Sequence, residues 1–189
     1  MTGLDDAREV LTKGSKGQIS LMLVSAENYS KYTAELIKLL MNDLKMHGVY
    51  LTVNKPYRQV VDGLTKLGVN IDNIFFIDCI TKVAGVNPTS SQQIIFAGSP
   101  GNLTSMGMAI NQASMRLKKS TDRGFLFFDS LSTLLLYNET KTVAKFAHFL
   151  VTRLRILELD GIVFAVEKDM DREVIRALAQ FCDNMVILD

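Results

Sequence analysis

Cysteine occurs only twice in the chain, at Cys79 and Cys182, and neither has a Cys or His partner at metal-ligand spacing. That excludes a disulfide framework and gives no zinc pattern. Cys79 closes an apolar run and reads as a small buried hydrophobe of a reducing compartment. Proline is scarce, with 3 residues, and glycine modest, with 12, which excludes a low-complexity or disordered chain. Charge of one sign is missing as well. The 21 basic and 20 acidic residues leave a net +1, so a protein held by nucleic-acid phosphates is not expected. No apolar run is long enough to span a bilayer: the richest window, Phe125 to Tyr137, is short and interrupted by Asp129. The N-terminal MTGLDDAREVL has no basic leader followed by an apolar core, so no secretory signal is read there. The expectation is a soluble, cytoplasmic chain with no membrane partner. His47 and His148 are isolated, with no nucleophile or orienting acid in a readable relation to either, and are expected on a helix surface or half-buried.

What is present is 48% hydrophobic residues over 189 positions, enough for one domain that buries ~70% of its unfolded surface. Short apolar runs alternate with stretches of helical periodicity, the pattern of βαβ units around a mostly parallel sheet. Strands are expected at Ile19–Val24, Val49–Val53, Ile74–Cys79, Gln93–Ala97, Phe125–Asp129, Gly161–Val166 and Met185–Leu188. The first helix is expected from Lys31 to His47, with Ala34, Ile37, Met41 and Leu44 inward and Gly48 ending it. Pro56 opens a second helix that carries Val60, Val61, Leu64 and Leu67 and closes at Gly68. Leu103–Lys119 follows a cap at Asn102 or Ser99, with Met106, Ala109, Ile110, Ala113 and Leu117 inward. Met108 and Met115 fall off that face, either against a second packed neighbour, the expected case, or as an adaptable contact surface. Glu139–Leu159 is the longest helix, and Phe149, Val151 and Ile156 widen its apolar arc. A last helix, Met170–Phe181, has Asp169 as its cap. The Gly98–Gly101 turn is read as a loop with a helix cap rather than a small anion nest.

Two stretches carry the chemistry. Ile19 to Ile37 reads as strand, polar turn and helix with a lysine near the helix start, the layout of a phosphate-binding P-loop. In that frame the chain has Ser25-Ala26-Glu27-Asn28-Tyr29-Ser30-Lys31-Tyr32. Only Lys31 matches. Ser25 and Ser30 replace the glycines, Tyr32 replaces the magnesium-binding hydroxyl residue, and Thr33 stands one residue late, about 100° further round the helix. A Ser brings a Cβ where close phosphate approach needs none. The second stretch, Phe125-Leu126-Phe127-Phe128-Asp129-Ser130, has the apolar strand ending in Asp that holds magnesium through its water shell in P-loop ATPases. Lys31 at a helix start opposes the helix dipole, so an ion pair with Glu27 or Asp129 is expected to offset it.

With these motifs in order, nearly the whole chain resembles the KaiC-like branch of the RecA-type ATPases. Gly14-Ser15-Lys16-Gly17-Gln18-Ile19 is similar to the family's lead-in to the P-loop strand. Gly48 to Pro56 is similar to its second strand and exit, and Ser99-Pro100-Gly101-Asn102-Leu103-Thr104 to its S-P-x-x-L-T turn. Asp129-Ser130-Leu131-Ser132-Thr133-Leu134 matches its D-S-L-S-x-L Walker B segment. The resemblance implies an α/β, three-layer αβα RecA-like (P-loop NTPase) fold with a mostly parallel central sheet. It also implies a single KaiC/RecA-like domain over residues 1–189, with a short lead-in at 1–17. The family's second strand ends in a Glu pair, one of which polarises the attacking water; here Asn54-Lys55 stands there. Loss of such a base costs roughly 10²–10⁴ in rate. The resemblance with these departures implies a pseudo-ATPase with no catalytic residues and no metal ligands. Ser25, Ser30, Lys31, Tyr32, Thr33 and Asp129 form a vestigial nucleotide site, with Lys31 expected to hold structure rather than phosphate. The expected role is a non-catalytic regulatory or assembly module with no cofactor, working as a homo-oligomer or with an active RecA/KaiC-like paralogue. The alternative is a weak ATP-binding protein or residual ATPase that takes ATP and Mg.

Overall fold

A computed structural model describes residues 3–170 and 172–189 of the chain. The cap expected from the Asp169 side chain, and residue 171 in the helix behind it, lie outside what is described. Seven strands form one sheet: β1 (Ile19–Val24), β2 (His47–Thr52), β3 (Ile74–Asp78), β4 (Ile94–Phe96), β5 (Gly124–Asp129), β6 (Asp160–Val166) and β7 (Asn184–Leu188). Their spatial order is β4-β3-β2-β5-β6-β1-β7, and every pairing is parallel. The mostly parallel sheet expected from the βα alternation is therefore wholly parallel among the described residues.

Seven α-helices among the described residues cover both faces: α1 (Gly3–Lys13), α2 (Tyr29–Lys38), α3 (Tyr57–Lys66), α4 (Leu103–Ser120), α5 (Leu131–Leu134), α6 (Thr140–Ile156) and α7 (Arg172–Ala179). The strand period of two divides the sheet's side chains between two cores. Ile19, Leu21 and Leu23 of β1 pack with α4, α5, α6 and α7. Met22 and Val24 of the same strand pack with α1, α2 and α3. Three layers result, with strands buried on both faces, which is why FLFFD reads as an unbroken apolar run.

Most boundaries fall within one or two residues of expectation, and the exceptions have local causes. The first helix does not run from Lys31 to His47. α2 starts at Tyr29 and ends at Lys38, and a π-helical turn, Leu39–Asp43, follows it. There the amides of Leu44 and Met46 donate to the carbonyls of Leu39 and Leu40. Lys45, at φ 52, makes the reversal, and Leu44 is only half-buried. Gly48 is no terminator: it lies inside β2, where a Cβ would stand 2.2 Å from the Phe125 ring. His47 is accordingly a half-buried strand residue. Gly68, at φ 73, does end α3 as expected, but Leu67 is exposed rather than inward.

Asn102, not Ser99, caps α4, accepting from the Ser105 amide at 2.9 Å. The Gly98–Gly101 segment is the expected loop and cap, with Asn102 N–H on the Ser99 carbonyl. Met108 and Met115 are exposed rather than covered by a second packed neighbour among the described residues, as are Phe149 and Ile156 of α6. The lead-in contains a whole helix: Ala7 and Leu11 of α1 are buried against the α2 side of the sheet. Cys79 is buried as expected, and burial pushes its thiol upward. No group of His, Cys, Asp and Glu suited to a metal ion occurs among the described residues.

Candidate functional site

The carboxyl ends of β1, β5, β6 and β2 form the edge where an open parallel sheet takes its ligands. Register sets Asp129 opposite Thr52 on one side and Phe164 on the other, and Val24 opposite Val166. β6 stands between β1 and β5, so the turn after β1 and the end of β5 face each other across one strand.

The turn after β1 is short. Ser25 to Asn28 form it, with the Asn28 amide donating to the Ser25 carbonyl at 3.2 Å. The helix then begins two residues before Lys31, its Tyr32 amide reaching the Asn28 carbonyl at 3.0 Å. The expected polar turn up to Lys31 is thus replaced partly by helix, because Tyr29 and Tyr32 are drawn inward. Tyr32 joins the α1–α3 core, and the Tyr29 ring lies 5.1 Å from that of Phe164. Of the sequence-read site residues, Ser30 and Lys31 are exposed, Ser25 is half-buried, and Tyr32, Thr33 and Asp129 are buried. Thr33 Oγ1 donates to the Tyr29 carbonyl at 2.8 Å.

Lys31 makes neither expected ion pair. Among the described residues its Nζ is placed only over the neighbouring Tyr32 ring, 5.0 Å from the centroid. The helix-dipole argument for a pair fails because an exposed lysine is solvated, which removes the need for a counter-charge.

Asp129 is 2% exposed, and protein groups occupy both its oxygens. The Tyr50 hydroxyl donates a short hydrogen bond to Oδ2, and Asn54 Nδ2 donates to Oδ1 at 3.2 Å. Burial pushes the carboxyl up to about 8, because a desolvated site disfavours the charged form. Asn54 is the hub. Its Nδ2 shares two hydrogens among Asp129, the Tyr29 hydroxyl at 2.6 Å and Ser130 Oγ at 3.3 Å. Its Oδ1 accepts from Thr133 Oγ1.

The D-S-L-S-x-L segment completes the network. Ser130 Oγ lies 3.0 Å from Ser132 Oγ and 3.1 Å from Thr133 Oγ1. Ser132 Oγ in turn accepts from the Val166 amide at 3.2 Å. Leu131 and Leu134 of the same segment are wholly buried. Beside this network a cavity of about 130 Å³ runs between α2 and α3, bounded by Tyr29, Thr33, Tyr50, Lys55, Gln59 and Asp129.

Tyr29, Tyr50 and Asn54 were not among the residues read as a site. Asn54 had a usable signal, a polar residue just past the carboxyl end of a central strand. Tyr50 had a weaker one, a hydroxyl within an otherwise apolar strand. The bonds of Tyr29 and Tyr50 to partners 25 and 79 positions away leave no local pattern.

Fold and strand order define a class: a three-layer α/β fold of RecA-like type around a parallel sheet. The chain is similar to a KaiC-like protein of the hyperthermophilic archaeon Pyrococcus horikoshii OT3, with a TM-score of 0.67 at 15% identity, over 91% of this chain and 72% of that one. It is also similar to the flagellar accessory protein FlaH of Methanocaldococcus jannaschii, with a TM-score of 0.63 at 13% identity, over 97% of this chain and 76% of that one. No curated protein matches the sequence. The chain belongs to DUF7504, a family of unknown function, whose profile matches residues 20–188. No helix among the described residues is long and apolar enough to cross a membrane.

Proposed function

We propose that this domain is a non-catalytic RecA/KaiC-like module, derived from an ATPase, that acts in regulation or assembly. The observation that carries the reading is the polar lock on Asp129. A magnesium nucleotide needs an ionised acid open to the metal's water shell, a small hydroxyl at the helix start, and backbone amides wrapped around phosphate. Here the acid is buried, doubly hydrogen-bonded and held toward its neutral form by burial. Tyr32 is packed in the core, and the residues before the helix close into a tight turn. These residues do not fit the group. Asn54, where the resemblance implies a catalytic Glu, instead ties Tyr29 to Asp129 and Thr133.

Without its own turnover, such a domain acts through its surfaces, as a homo-oligomer or with an active RecA/KaiC-like paralogue. Exposed Met108, Phe149 and Ile156 support that reading. Sedimentation over a wide concentration range, with pull-down against a co-expressed paralogue, tests it. Self-association or a paralogue complex is the expected result, and a strict monomer without partner overturns it.

A second reading, weak ATP binding through Lys31, draws on two observations. Lys31 is exposed, and the Asn28 side chain makes no cap bond at the start of α2. Titration with Mg-ATP separates the two.

A further inference from the structure

α4 and α6 lie on the same face of the sheet, and a groove of about 730 Å³ opens between them. Its apolar surface comes from Gly107 and Met108 of α4 and Phe146 and Phe149 of α6, and Lys145 and Arg153 stand along it. Met108 is 70% exposed and Phe149 48%, so both present apolar surface to the groove.

The groove is held in shape from within. The Phe146 and Phe149 rings lie 6.2 Å apart, Arg153 is tied to Asn111 of the opposite helix, and Gly107 leaves its wall bare. A Cβ at position 107 would already stand 3.4 Å from the Phe149 ring, so any longer side chain there would grow into the groove.

Charge identifies the occupant. The chain as a whole carries nearly as many acids as bases, yet neither LTSMGMAINQASMRLKKS nor TKTVAKFAHFLVTRLRI contains one Asp or Glu. The basic residues of these helices are Arg116, Lys118, Lys119, Lys141, Lys145, Arg153 and Arg155. Of these, Lys145 and Arg153 line the groove, whereas Lys118 pairs with Glu158 at 3.3 Å and Arg155 with Asp183 at 2.9 Å, away from it. An apolar trough with cations on its rim matches a helix that has apolar anchors on one face and carboxylates beside them. At eighteen and seventeen residues, α4 and α6 are each about 26 Å long, room for several turns of such a helix. Nucleic acid is disfavoured by the chain's net charge of +1.

We propose that the groove between α4 and α6 is the docking site for an acidic amphipathic helix of a partner protein. The proposal rests on the reading of this domain as an assembly module and names the surface that module uses.

The probe is a fluorescently labelled synthetic helix of Leu and Glu with Leu at helical spacing, and its counterpart carries Lys in place of Glu. Anisotropy titration of the full chain is expected to show saturable binding of the Glu helix, at least about tenfold tighter than the Lys helix. The double variant Lys145→Glu/Arg153→Glu reverses that preference. Gly107→Leu fills the groove and abolishes binding of both, while circular dichroism and the melting temperature stay near those of the parent, because Leu favours the helix over Gly. No saturable binding, or equal binding of the two helices, overturns the proposal. Binding to phosphatidylglycerol vesicles that Gly107→Leu removes also overturns it, in favour of an anionic lipid surface. If the peptides fail while sedimentation shows self-association, the groove is rejected and the assembly module stands. If the Glu helix binds and magnesium nucleotide binds too, the groove stands and the empty pocket is rejected.

Discussion

Replacing Asp129 with Asn is expected to stabilise the protein at neutral and alkaline pH and to leave it nearly unchanged in mild acid. The carboxyl, pushed up to about 8 by burial, would titrate near 3.9 in the unfolded chain. A raised carboxyl pKa means that the folded state binds the proton more tightly, so its contribution is fully present below about pH 4. It is lost as pH rises towards 8 and is constant beyond. Within that window the slope is about 1.4 kcal/mol per pH unit for one group. From pH 5 to 7 the wild type should therefore lose ~3 kcal/mol that the Asn variant keeps, a difference of about 6–12 °C in Tm for a domain of this size.

The carboxamide suits the lock because it presents one acceptor and one donor, as the neutral acid does. In the variant its oxygen would accept from Asn54 and its nitrogen would donate to the Tyr50 hydroxyl oxygen, reversing the bond that Tyr50 donates to Asp129. Urea denaturation of both proteins across pH 5 to 8, read as the wild type minus variant difference, cancels every other titrating group. A difference that stays flat, or a variant less stable than the wild type at pH 8, would refute the reasoning. It would mean that Asp129 is ionised and that the Tyr50 and Asn54 donors outweigh its burial.

Asn54→Ala should cost about 1–3 kcal/mol in urea denaturation, because it strips Asp129 Oδ1, Tyr29 and Thr133 of a partner at once. A loss below about 0.5 kcal/mol would show that water replaces the amide without penalty. Gly48→Ala should destabilise by roughly 1–3 kcal/mol through overpacking on Phe125. A neutral result in thermal melting would place Gly48 in a turn after all.

Sequence patterns that depend on neighbours in the chain were legible. The strands buried on both faces, the inward stripe Met106–Ala109–Ile110–Ala113–Leu117 of α4, the left-handed Gly68 and the cap at Asn102 all appear where local chemistry puts them. Features decided by distant packing were not. Gly48 looks like a helix terminator until Phe125 is known to lie over it, and the helix before it ends instead through a π turn that leaves no composition signal. α1 did carry a readable stripe at Leu4, Ala7 and Leu11, hidden by its polar surroundings.

At the site, Asp129 and the surrounding segment were identified by position, but what holds them was not. The chemistry that Asn54 and Tyr29 perform is set by residues as far away in sequence as Asp129 and Thr133. Lys31 is a different case. It is the one residue that keeps the P-loop pattern, yet among the described residues its side chain contacts only its neighbour Tyr32. A motif match fixes the place of a residue in the fold more readily than its work.

The proposed function stands or falls on whether the side chains around Asp129 leave no room for a nucleotide. The most direct test is a thermal-shift titration of the wild type and Lys31→Ala with Mg-ATP. A ligand at 100 times its Kd stabilises by ~2.7 kcal/mol, which in this domain would raise Tm by roughly 5–10 °C. The account predicts no shift for either protein up to millimolar Mg-ATP. A saturable rise in the wild type that Lys31→Ala abolishes would contradict it.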